Sequence, residues 1–136
     1  MRLLIPILCL AASPLWAWTF TPQPICTLAN DGSPQVTVTY DGALYAIHIT
    51  RPGGWPDAPV FSLRFAPNGP TISTTRHSVM GDRLTVTDKG FGNVLDGLQF
   101  NGTATAMLGE MNQPIDLQGA ADPVAAFRNC RPGPAV

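Results

Sequence analysis

Apolar side chains recur at every second position through the middle of the chain. In QVTVTY (35–40) Val36, Val38 and Tyr40 alternate with Gln and Thr. In LYAIHIT (44–50) Tyr45, Ile47 and Ile49 share one face and His48 falls on the other. A period of two is that of a half-buried strand, and DGA at 41–43 joins this pair as a hairpin. The alternation returns in VFSLRF (60–65), with Phe61, Leu63 and Phe65 inward, and in RLTVTD (83–88), with Leu84 and Val86 inward. ICTLAN (25–30), TISTT (71–75), TATAML (103–108) and PIDLQG (114–119) complete the predicted strands, the last two as a hairpin across GEMNQ. RPGGWPDAP (51–59) is a loop, because its prolines cannot sit inside a paired strand. RHSVMGD is a connection.

The period changes only late in the chain. Asp122 before Pro123 predicts a helix start, with the aspartate as N-cap and the proline in the first turn. Val124, Phe127 and Cys130 then form one apolar edge. The glycine-rich DKGFGNVLDGLQFNG (88–102) is the stretch most like a site, yet it meets neither phosphate-binding pattern. The dinucleotide fingerprint needs its third glycine where Leu95 stands, and the other phosphate loop needs Lys and Ser or Thr where Leu98 and Gln99 stand. It reads instead as turns: Gly90 and Gly92 at positive φ around Phe91, and Asn93 capping a short helical turn. Val94, Leu95 and Leu98 would plug one end of the core, and Asn101–Gly102 would turn into the next strand. Asn101-Gly102-Thr103 is also an acceptor sequon where the host glycosylates exported chains. The fold expected is a mostly-β antiparallel sandwich or open barrel with one short C-terminal helix.

Near its start the chain carries one cation at Arg2, an apolar run from Leu3 to Ala12, and a small residue at Ala17, the layout of a secretory leader with cleavage expected after Ala17. Pro6 and Pro14 and the lack of a following basic cluster disfavour a retained anchor. Residues 18–130 then form a single β-rich domain of about 119 residues together with a frayed tail, 131–136. Of three cysteines, Cys9 leaves with the leader. Cys26 and Cys130 remain, an even pair that in an oxidising compartment is expected to form a disulfide across 104 positions. The expected location is periplasmic or secreted. Fourteen prolines and thirteen glycines favour short strands and turns over long helices. The formal net charge is −1, so no electrostatic reason exists to expect nucleic acid or an anionic membrane as partner.

Candidate chemistry is sparse. His48 and His77, with no free cysteine, fall short of the three or four clustered ligands of a zinc site. His77, Ser78 and Asp82 have the letters of a catalytic triad without a spacing that converges. Asp88 and Asp96 could face each other across the glycine segment, which with His77 defines an alternative small periplasmic hydrolase around GFGNVLDG. No catalytic, metal or cofactor residue is assigned. Trp55, in a proline-stiffened loop beside Arg51, has the composition of a binding hot spot if exposed, or covers the edge of the core if folded back. Arg76 and His77 in STTRHS suit a small anion or a sugar.

The segments TISTTRH, LTVTDKGFGNVLDGL, TATAMLG and AAFRNC together resemble small exported bacterial proteins of unknown function over nearly all of the mature length. Some of those carry the name of the helicase component of excinuclease ABC, an activity that needs a nucleotide-binding loop and helicase motifs this sequence lacks. IDLQGAADPVAAFRNC is similar to the C-terminal strand and helix of invasion-associated locus B proteins, which are exported β-rich domains. Neither resemblance implies a catalytic residue. The function expected is that of a non-catalytic binding or envelope-accessory module, its partner an envelope protein or a small ligand.

Overall fold

The computed structural model describes residues 17–132. Residues 1–16 of the expected leader (1–17) and residues 133–136 of the expected tail (131–136) lie outside the described residues. Twelve elements follow in chain order: β1 (Trp18–Thr21), β2 (Cys26–Asn30), β3 (Gln35–Tyr40), β4 (Tyr45–Thr50), β5 (Phe61–Ala66), β6 (Thr71–Thr74), β7 (Ser78–Met80), β8 (Arg83–Asp88), α1 (Gly92–Phe100), β9 (Thr103–Leu108), β10 (Met111–Asp116) and α2 (Ala121–Arg128).

The strands form two open antiparallel sheets. One has six strands in the order β1-β2-β3-β4-β8-β7, the other four in the order β10-β9-β5-β6. Alternation along the longer strands supplies the core: Val36 and Val38 of β3, Ile47 and Ile49 of β4, and Phe61, Leu63 and Phe65 of β5 are all buried. The tyrosines at the β3–β4 hairpin, Tyr40 and Tyr45, stack at 4.2 Å, and Tyr45 stacks in turn on Phe91. Both helices pack at one end, α1 against β5 and α2 against β1 and β2, and they touch each other. Cys130, just past α2, is bonded to Cys26 in β2, with Cα atoms 6.1 Å apart. The expected end-to-end staple is present.

Four expectations need correction. A second helix exists: α1 spans nine residues, since Val94, Leu95 and Leu98 give it a buried face. Neither helix start uses the predicted cap. Phe91 and Ala120 occupy the N-cap positions without a side-chain bond, and Asp122 lies within the first turn of α2. Gly90 and Gly92 are absent from the positive-φ glycines. Gly97 is the constrained one, because a Cβ there would lie 2.2 Å from the ring of Phe65. Finally, the second hairpin turns at Gly109 (φ 61°) and β10 begins at Met111 rather than Pro114. Pro114 is tolerated because β10 is an edge strand.

The two sides of the sandwich differ. On one side Trp18, 1 % exposed, donates its Nε1–H to the Asp116 carbonyl at 3.1 Å, tying β1 to β10, the edges of the two sheets. On the other side the chain passes from β6 to β7 through Thr75–His77. β7 pairs only with Arg83–Thr85 of β8. This side stays open.

Candidate functional site

A cleft of about 600 Å³ enters the sandwich on that open side. Its floor is apolar: Ile47 from β4, Phe61 and Leu63 from β5, Ile72 from β6, Val86 from β8, and Phe91 and Val94 at the start of α1. Ser73, Thr74 and Arg76 form one lip, and Thr87, Asp88 and Asn93 the other. The alternation that half-buries Val86 and Ile72 turns Thr87 and Ser73 toward the rim. Arg76 donates its backbone N–H to Thr74 Oγ1 at 3.0 Å, whereas its guanidinium meets neither a carboxylate nor a hydrogen-bond acceptor among the described residues. Asp88 accepts only the N–H of Lys89, at 2.7 Å. An apolar floor with a few polar groups at the rim is the usual make-up of a small-ligand or peptide site.

The predicted site residues divide. Arg76 lines the cleft. His77 faces away: its Nε2 lies 2.9 Å from the Ala58 carbonyl, so that nitrogen carries the proton, because a carbonyl only accepts. Its Nδ1 is buried without a partner. Trp55 is half-buried and folded back on the core. Its Nε1–H is shared between the carbonyls of Ile49 (3.1 Å) and Asp82 (3.0 Å), and its ring stands edge-on to Phe61. Arg51 sits 5.8 Å from the centre of that ring and donates through Nε to Gln113 Oε1 at 3.0 Å. Thus Arg51, Trp55 and His77 together fasten the 51–59 loop to the sandwich.

The pair of carboxylates envisaged for hydrolysis is not brought together with His77. Asp96 points to the α2 side of α1 and pairs with Arg128 at 2.7 Å, Asp88 is on the cleft lip, and His77 is held at the 51–59 loop. His48 lies on the outer face of the larger sheet, 2.8 Å from Thr85 Oγ1. Partial burial, and then the charge of Arg83, lowers its pKa below 6.5. Among the described residues no group of three or more His, Cys, Asp and Glu could hold a metal ion, and no helix is long and apolar enough to cross a membrane.

Ile72, Thr74, Val86 and Asn93 of the cleft escape sequence reasoning. Each is an ordinary strand or helix-start residue locally, and only the relation between two sheets makes them neighbours. The legible hints are the glycine-rich segment from Asp88 to Val94 and the STTRHS tract with Arg76, both of which line the cleft. Compared with family models, curated proteins and solved structures, the chain matches none.

Proposed function

We propose that the protein is an exported, non-catalytic binding module whose ligand seats in the cleft between the two sheets. The observation that carries this reading is the cleft itself: about 600 Å³, with an apolar floor and, at its lip, the guanidinium of Arg76, unpaired among the described residues. Such a site suits an amphipathic ligand whose apolar part enters the sandwich and whose anionic group meets Arg76. The separation of Asp88, Asp96 and His77 removes support from the hydrolase alternative. Export rests on the leader-like N-terminus and on the Cys26–Cys130 disulfide, a bond that persists in oxidising compartments.

The test uses the disulfide-bonded protein and 1-anilinonaphthalene-8-sulfonate, a probe with an apolar body and one anionic group. Saturable binding of one probe per chain is expected, abolished by Ile72→Arg and weakened by Arg76→Gln, with both variants still unfolding cooperatively. Equal binding by Ile72→Arg and the parent would rule out the cleft.

A further inference from the structure

The main chain around the cleft carries more information than its side chains do. β8 is paired along its whole length with β4 on one side, from Arg83 to Asp88. On its other side β7 pairs only with Arg83, Leu84 and Thr85. Val86, Thr87 and Asp88 therefore have a partner strand on one side alone. Across the cleft β6 likewise pairs only with β5 and forms the edge of its sheet. Both lips thus present unpaired strand edges, and no loop or turn hydrogen bond covers either one among the described residues.

An unpaired edge offers backbone N–H and C=O groups at strand spacing, a pattern that another extended backbone complements. The position beside Val86–Asp88 is in line with β7. A strand placed there would lengthen the last row of the six-stranded sheet, and alternate side chains would point between the sheets, where the apolar floor lies. Arg76, on the opposite lip and without an acid partner among the described residues, sets the charge that suits such a segment. The exposed Val79 and Met80 of β7, 38 % and 84 % accessible, continue the apolar surface along the same line.

We propose that the cleft is a strand-addition site: an extended segment of a partner polypeptide, apolar at alternate positions and carrying a carboxylate, pairs with Val86–Asp88 beyond the end of β7, sets its apolar side chains between the sheets and its carboxylate against Arg76. This rests on the reading of the cleft as the binding site and names its ligand class. A small amphipathic molecule would fill the same floor and leave the strand edges bare.

The experiment pans a displayed library of random linear peptides against the disulfide-bonded protein. Enriched sequences are synthesised and their affinity measured by fluorescence anisotropy, alone and in competition with 1-anilinonaphthalene-8-sulfonate. Each peptide is also made with backbone N-methyl groups on one or the other alternate set of residues. Strand addition predicts peptides with alternating apolar residues and an acid that displace the probe. One N-methyl set, and not the other, should weaken binding about tenfold or more, because it removes donors facing β8. Arg76→Gln should weaken the acidic peptides by about tenfold and leave neutral analogues unchanged. Amide exchange at Val86–Asp88 should slow in the complex. Peptides that bind with both N-methyl sets within about twofold of the parent would overturn strand addition and leave a cleft that reads side chains only. No enriched peptide, with the probe still bound in the cleft, would also overturn it while the binding-module reading stands. Failure of peptides and probe alike would end both.

Discussion

Replacing Gly97 by alanine sets two effects of known sign against each other. In the middle of an exposed helix the change would stabilise, since alanine is about 0.8–1 kcal/mol better than glycine there. At this position the added methyl would lie 2.2, 2.3 and 2.5 Å from three ring atoms of Phe65. Ordinary contact begins at 3.4 Å. Phe65 is only 2 % exposed, and it stands in β5 opposite Ala104 of β9, so its ring is enclosed by the core. Overpacking of this kind costs about 1–3 kcal/mol. The clash therefore offsets or outweighs the gain, and Gly97→Ala is expected to be less stable than the parent by up to about 2 kcal/mol net. Urea unfolding of the oxidised protein, followed by tryptophan fluorescence, reads this as a lower midpoint at constant slope. The decisive comparison is the double-mutant cycle with Phe65→Ala, which removes all three of the ring atoms in contact. Once the ring is gone, Gly97→Ala should become neutral or stabilising by up to about 1 kcal/mol, a coupling of about 1–3 kcal/mol between the sites. A raised midpoint for Gly97→Ala with Phe65 in place, or the absence of coupling between the two sites, would refute the argument that close packing, rather than turn geometry, demands this glycine.

Four further outcomes are expected. Cys26→Ala/Cys130→Ala opens a loop of 104 positions; chain entropy alone gives a loss of about 4–5 kcal/mol, and an unfolding midpoint unmoved by reduction would contradict it. Arg128→Met and Asp96→Asn break an ion pair whose side chains are 31 % and 49 % exposed; a double-mutant cycle should find a coupling below about 1 kcal/mol, screened further by salt. Trp55→Phe keeps the ring over Phe61 but removes the donor to Ile49 and Asp82, and calorimetry should show a loss of about 0.5–2 kcal/mol. The pKa of His48 is lowered on folding from 6.5, so the unfolded chain takes up its proton first. The stability linked to neutral His48 is complete above pH 6.5 and is lost as pH falls through the lower folded value. The unfolding midpoint of His48→Gln should thus fall less than that of the parent between about pH 7 and pH 5, and parallel profiles would exclude the linkage.

The strands with a clean period of two are legible in sequence almost to the residue. β3, β8 and β9 have the predicted limits, because each alternates strictly and is bounded by turn residues. β7 is hidden because Ser78, Val79 and Met80 are all exposed and carry no inward–outward contrast. β1 is a four-residue edge strand directly after the proposed cleavage point, and its anchor is a long-range bond from Trp18 that no local pattern encodes. β10 is displaced from its predicted limits because Pro114 reads as a barrier within a strand, whereas an edge leaves its missing N–H without consequence. The helix caps fail for a related reason: buried apolar faces fix where α1 and α2 begin, and capping side chains do not contribute. Trp55 stands out in the sequence, but only the carbonyls of Ile49 and Asp82, far apart along the chain, decide which way it turns. The cleft is legible only in part: the start of the glycine-rich 88–102 stretch and Arg76 stand out in sequence and both line it, but the apolar floor is made by two sheets and cannot be read locally.

Because Cys26 and Cys130 enclose nearly the whole domain, the polypeptide between them is covalently a ring. A protease that cuts a single exposed peptide bond, for instance in the Thr75–His77 crossover, converts that ring into two pieces that remain linked through sulfur. Under non-reducing conditions such a nicked molecule keeps its mass apart from one added water, and both pieces stay registered on one core. In a protease-rich compartment the disulfide would then serve as insurance against the first cleavage as well as against unfolding, and only a second cut or a reductant would release a fragment.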